Sequence, residues 1–210
     1  MDEVFAMIAA ERRQTADMLD ELTQEQWDTQ SLCAGWRVRE VAAHLVMPFS
    51  ISVPRLMIKI IAARGDFNKV ADRWARAETR SNTELAAALR SNAEHRFTPP
   101  GFGPGAPLTD IVTHSQDICR PLGIARDVPA DHAKVVLELL VSPKATRGFV
   151  SKGLADGLGF ATTDTGWTYG SGEEVTGTAG DLIMTIGGRH GAIDALSGTG
   201  VATLRSRLGT

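Results

Sequence analysis

The residues of this sequence best suited to chemistry lie in Pro107-Leu-Thr-Asp-Ile-Val-Thr-His-Ser-Gln-Asp117, where two carboxylates and an imidazole recur at helical spacing. At about 100° of turn per residue, Asp110, His114 and Asp117 fall on one helix face, in a strip roughly 60° wide. Ile111, Ile118 and Leu122 cluster about 100° round from Asp110, so the polar groups line the edge of an apolar stripe and can point into a helical bundle. Pro107 suits a first helical turn, where its missing N–H costs nothing, and Pro121 followed by Gly123 stops the helix. A second imidazole, His44, belongs to another helical pattern. If facing helices bring His44 against Asp110 and His114, two nitrogens and one oxygen surround one point. That donor set suits a divalent transition metal such as Zn²⁺ and leaves a position open for water or substrate. A hydrogen-bonded structural histidine, or an i, i+4 pair on a solvated face, also satisfies the spacing.

The elements that must carry these groups are mostly helical. Residues 2 to 22 have apolar positions at Val4, Phe5, Ile8, Ala9, Ala16, Leu19 and Leu22, the spacing of an amphipathic helix. Thr23-Gln-Glu-Gln26 reads as a capping box that starts a short turn, with Trp27 as a buried anchor. After a loop over Ser31–Trp36, helical periodicity resumes at Arg37 and runs, bent at Pro48 and Pro54, to Ala63, where Arg64-Gly65-Asp66 breaks it. A third helical pattern over 67–96 is re-capped near Ser81-Asn-Thr-Glu84 and ends near His95, an imidazole placed to interact with the last carbonyls. The Pro/Gly-rich run from Thr98 to Pro107 cannot continue a helix and delivers the Asp110 segment. Another helix covers Ala130 to Val141, with His132 expected exposed at its start.

Composition changes after about residue 145, where glycines become frequent. Residues 159–164 and 166–169 read as strands around a turn and 174–177 as a third. Residues 179–186 and 190–196 look helical, divided by Gly187-Gly188, and a short helix runs from Gly200 to Leu208. The expected architecture is mainly α: a helical bundle over residues 1–145 followed by a small α+β domain over 146–210.

At 210 residues with a formal charge of −3 and no basic run, the chain offers no electrostatic surface for nucleic acid. No apolar run approaches a membrane span, and the N-terminus lacks a secretory pattern; the expectation is a cytoplasmic protein, monomer or homodimer. Cys33 and Cys119 lack CxxC spacing and are expected to be small packed residues. His190 is expected at the surface, and Trp27, Trp36, Trp74 and Trp167 are expected to be packing anchors.

Three stretches carry a resemblance: Ser31-Leu-Cys-Ala-Gly-Trp-Arg-Val-Arg-Glu-Val-Ala-Ala-His44, His114-Ser-Gln-Asp-Ile-Cys-Arg-Pro-Leu-Gly123 and Gly188-Arg-His-Gly-Ala-Ile-Asp-Ala-Leu-Ser-Gly198. Together they resemble the mycothiol-dependent maleylpyruvate isomerase family, whose N-terminal part is a DinB-like four-helix bundle. The resemblance implies that His44, Asp110 and His114 hold a zinc-type divalent metal, with aspartate standing where the family's isomerase has glutamate. It implies that Asp117 is catalytic, and that a C-terminal arginine, best matched by Arg189, faces the site to bind a carboxylate of the thiol cosubstrate or substrate. From the residues alone Arg189 also fits a surface arginine ending a helix. Asp164 and Trp167 match the family's Asp-x-Gly-Trp turn and are expected to be structural. The activity implied is mycothiol-dependent isomerisation or S-conjugation of a small electrophile by a metal-activated thiolate. The alternative is a DinB-like protein that binds a metal or small ligand without turnover.

Overall fold

Local capping chemistry starts several of the helices. In the computed structural model, which describes residues 1–99 and 101–209, α1 (Asp2–Asp20) opens with Asp2 and Glu3 against its N-terminal dipole. Helix α2 (Gln24–Asp28) carries the full Thr23/Gln26 capping box. Helix α3 (Val38–Ser50) has Glu40 bonded back to the Arg37 amide, and α4 (Val53–Ala62) has Pro54 in its first turn. Helix α5 (Phe67–Ala77) is capped by Asp66 and α6 (Asn82–Ser91) by the Ser81/Glu84 box. The exposed carbonyls after α6 are taken by Arg12, whose guanidinium donates to Asn92, Ala93 and His95 at 3.4, 3.0 and 2.7 Å.

By internal contacts the chain divides into two units. The first comprises Met1–Pro99 with Asp117–Ala125. In it α1 packs on α6, and α3 packs on α5 and α6. Its apolar interior includes Ile8, Leu19, Val41, Leu85 and Leu89. The bent helix expected over 37–63 is instead two helices: Ile51 adopts an extended conformation (φ −128°, ψ 131°) and Ser52 begins a new start. Pro48 stays inside α3, so the break falls between the two prolines, at the point where Pro54 can open a fresh first turn.

The second unit comprises Pro100–Gln116 with Arg126–Thr210; Pro100, part of the run expected to be a loop, lies outside the described residues, as does Thr210. Helix α7 (Gly105–Cys119) is unbroken, its last turn counted with the first unit. Helix α8 (Ala130–Leu140) is followed by a 3₁₀ turn at Pro143–Arg147. Strands β1 (Leu158–Thr162), β2 (Thr168–Tyr169) and β3 (Glu173–Gly177) form a sheet ordered β2-β1-β3, antiparallel on one side of β1 and parallel on the other. Helix α9 (Ala179–Ile186), with Leu182, Ile183, Met184 and Ile186 all buried, packs on α8 and β3. The stretch 190–196, expected to be helical, is a 3₁₀ helix over residues 190–195, and α10 (Val201–Leu208) follows. Asp164 accepts from the Ala179 amide at 2.9 Å, and Thr162 exchanges hydrogen bonds with the Trp167 backbone, so both members of that turn are structural.

His132 corrects a second expectation: it is buried, not exposed. It lies four and eight residues before Val136 and Leu140, both buried, so helical periodicity turns it inward with them. Among the described residues no helix is long and apolar enough to cross a membrane.

Candidate metal centre

The loop Ser31–Trp36 is built as a rigid launch for α3. The Ser31 hydroxyl donates to the Trp36 carbonyl at 2.7 Å and accepts from the Cys33 amide at 3.1 Å. The Trp36 amide closes a turn onto the Cys33 carbonyl at 3.0 Å, with Gly35 at φ +75°, a conformation L side chains adopt at a cost. From outside the turn, the Gln30 side-chain amide donates to the carbonyls of Ser31, Cys33 and Trp36. Two turns into α3 stands His44, buried, with the Trp36 ring 5.4 Å away in a tilted contact and the Phe67 ring 6.5 Å away edge-on.

The same loop reaches the end of α7. The Leu32 amide donates to the Asp117 carbonyl at 3.1 Å and the Cys33 thiol donates to the Asp117 carboxylate at 3.0 Å. Asp117 is fully buried, so its carboxylate needs such donors. One turn earlier on the same helix, His114 Nε2 lies 3.6 Å from Asp110 Oδ1. That is the contact the i, i+4 spacing implied.

Among the described residues, two groups of three could hold a metal ion: His44 with Asp110 and His114, and Cys33 with His114 and Asp117. In each group one ligand atom per residue lies within 4.8 Å of the others. Tetrahedral zinc with bonds near 2.0–2.2 Å to nitrogen and oxygen sets neighbouring ligands about 3.3–3.6 Å apart, and His114 Nε2 and Asp110 Oδ1, at 3.6 Å, stand at that spacing. A candidate metal-binding site therefore exists, and its first group contains the three metal ligands expected from the sequence. Arg189 sits at the start of the 190–195 turn, half-buried, with Nη1 donating to the Gly187 carbonyl at 2.7 Å; that bond closes the end of α9.

Sequence reasoning missed two side chains. Cys33 is not a mere packed residue but a donor to Asp117, and Trp36 is more than an anchor, since its indole N–H donates to Asp72 at 2.9 Å. Their partners lie far along the chain, so no local spacing signals them. Cys119 is buried as expected. His190 is exposed as expected, and His95 uses Nδ1 to accept from the Phe97 amide at 3.2 Å rather than donating to helix carbonyls.

A mainly helical chain with a small three-stranded sheet and a two-histidine, one-carboxylate cluster has a recognisable kind. Residues 8–98 match the family model described as the mycothiol maleylpyruvate isomerase N-terminal domain. Crystal structures of mycothiol-dependent maleylpyruvate isomerase share the fold: a histidine-to-alanine mutant at TM-score 0.59 and a second structure at 0.52, each at 15% identity over 94% of this chain and 92% of theirs. No curated protein matches the chain in sequence.

Proposed function

We propose that the protein is a metal- and mycothiol-dependent enzyme that isomerises or S-conjugates a small electrophile, with Zn²⁺ held by His44, Asp110 and His114. The observation that carries this reading is the convergence of those three ligand atoms within 4.8 Å; the domain family supports the thiol. Three protein ligands leave a coordination position, and a bound cation there would favour the thiolate of a low-molecular-weight thiol over the thiol. The chain's own residues do the rest. Asp117, held by Leu32 and Cys33, orients or shuttles the proton that the thiol loses and the product regains. Arg189 pairs with a carboxylate on thiol or substrate.

The reaction balances without an oxidant. The thiolate adds to one carbon of a conjugated double bond, the neighbouring carbon takes the electron pair, and rotation about the resulting single bond becomes possible. Elimination then returns the thiolate and the isomerised double bond. In conjugation the neighbouring carbon instead accepts a proton and the thioether is released. On this reading the protein works in the cytoplasm. The test is purified protein assayed with mycothiol and maleylpyruvate or related electrophiles: turnover should vanish on chelation and return with Zn²⁺. Metal binding without thiol-dependent turnover across such electrophiles would instead mark a non-catalytic binder.

A further inference from the structure

The loop Ser31–Trp36 touches the proposed centre twice, through the Trp36 ring on His44 and through Leu32 and Cys33 on Asp117. It is in turn held from α5. Asp72 Oδ1 accepts from Trp36 Nε1 at 2.9 Å and from Arg76 Nε at 2.8 Å, and Arg76 Nη2 donates to the Gly35 carbonyl at 3.0 Å. Two adjacent loop residues are thus tied to one turn of a helix that itself packs on α3, the helix carrying His44.

These bonds contribute little to folding. The Asp72 and Arg76 side chains are 43% and 54% exposed, and an ion pair so exposed adds little to stability. Their geometric effect is larger. An indole has two side-chain torsions, and fixing its N–H fixes the plane of the ring that meets the imidazole. The Asp72 carboxyl is held below its usual range first by the indole hydrogen bond and then, against the cost of burial, by Arg76, so an ionised acceptor is present at neutral pH.

We propose that Asp72 is a positioning residue for the centre: through Trp36 it sets the tilt of the His44 imidazole, and through the loop it keeps the Leu32 and Cys33 donors on Asp117. This rests on the reading of His44 as a metal ligand and Asp117 as the proton-handling group. Groups that orient a metal-binding histidine from outside the ligand set typically change affinity 10–100-fold when removed. Asp72 acts at one further remove, so the lower end of that range applies.

The test uses the whole chain as Asp72→Ala and Asp72→Asn. Two quantities are read: Co²⁺ and Zn²⁺ affinity by competition titration, and hydrogen exchange of the Leu32 amide and Trp36 indole N–H by NMR in the metal-free protein. Asp72→Ala should weaken metal binding about 10-fold and speed both exchanges about 10-fold, by local opening of the loop rather than global unfolding. Asp72→Asn still offers the indole an acceptor oxygen and should keep metal affinity and Leu32 protection within about threefold of wild type. Should Asp72→Ala fold poorly, Trp36→Phe keeps a ring against His44 without the N–H and should reproduce its effects on metal affinity and on exchange of the Leu32 amide. Wild-type affinity and protection in Asp72→Ala, an asparagine as damaging as alanine, or weakened metal binding with Leu32 still protected would each overturn the proposal. If wild type binds no metal yet Asp72→Ala frees Leu32, the functional reading fails while the positioning of the Asp117 donors stands.

Discussion

Helices α7 and α4 depart from the usual division of side chains in opposite directions. Among the residues of α7 none is exposed, and Thr109, Thr113, Ser115, Gln116 and Asp117 are buried alongside Leu108, Ile111 and Ile118. In α4 Leu56 is the buried residue, while Val53, Met57, Ile58 and Ile61 face outward, Ile61 at 73% exposure. Buried polar groups and exposed apolar groups are the informative exceptions to hydrophobic sorting. The difference lies in what each exception requires. A buried polar atom must be partnered or it costs about 1–3 kcal/mol, whereas an exposed isoleucine needs nothing. In α7 Thr109 and Ser115 donate to the carbonyls of Gly105 and Val112 in their own helix, a local solution open to any helix. The Asp117 carboxylate draws on the Cys33 thiol, in a separate loop whose Leu32 amide also donates to the Asp117 backbone carbonyl. The buried Asp117 carboxylate depends on a donor from another part of the chain, whereas the Thr109 and Ser115 hydroxyls are satisfied within their own helix.

The comparison can be broken most forcefully at the apolar positions of α7. Leu108 is fully buried, so Leu108→Ala should cost about 3 kcal/mol, within the range for buried leucine truncations. Leu56→Ala in α4, where the residue is 8% exposed and its neighbours can collapse, should cost less. Equal losses in urea denaturation would show that α4 is as firmly seated as α7. Next in size is His114→Ala, which removes the ligand common to both candidate groups. Divalent metal affinity should fall at least 100-fold, about 2.7 kcal/mol, whereas His190→Ala, an exposed histidine, should leave it unchanged. Unaltered affinity in the first variant would reject both groups at once.

Asp117→Ala should follow at about 1–2 kcal/mol, because the Cys33 thiol loses its acceptor and a small cavity opens. Asp117→Asn sharpens the comparison, since it keeps size and a carbonyl acceptor. It should restore most of the stability while leaving thiol-dependent turnover depressed. Recovery of both would make Asp117 a packing residue like Thr109.

How much of this was legible in the sequence follows the distance over which each feature is decided. The Thr23/Gln26 and Ser81/Glu84 boxes are settled within three residues, and the shared face of Asp110, His114 and Asp117 within seven, so pattern alone exposes them. The break between α3 and α4 was hidden because apolar residues continue through Ile51 and either proline could have marked a bend. The burial of His132 was readable from Val136 and Leu140 but was masked by its place in a first turn. Cys33 on Asp117 and Trp36 on Asp72 span 84 and 36 residues. Contacts of that kind depend on how helices pack, and no spacing rule reports them.

The smallest effect tests α4 itself. The double change Ile58→Glu and Ile61→Glu puts two carboxylates on its outer face, in a segment where Arg55, Lys59 and Arg64 are the charged residues between Ile51 and Gly65. A carboxylate at position 58 stands three residues after Arg55, a spacing worth about 0.2–0.5 kcal/mol of attraction on a helix. That gain and the slightly better helix propensity of glutamate oppose the lost contacts of the isoleucines, so stability should stay within about 0.5 kcal/mol of wild type. The measurement is the urea midpoint at two protein concentrations. A loss above about 1.5 kcal/mol would mean that Ile58 and Ile61 are covered in solution; if the loss grew with protein concentration, the cover would be a second copy of the chain, and the contrast with α7 would disappear.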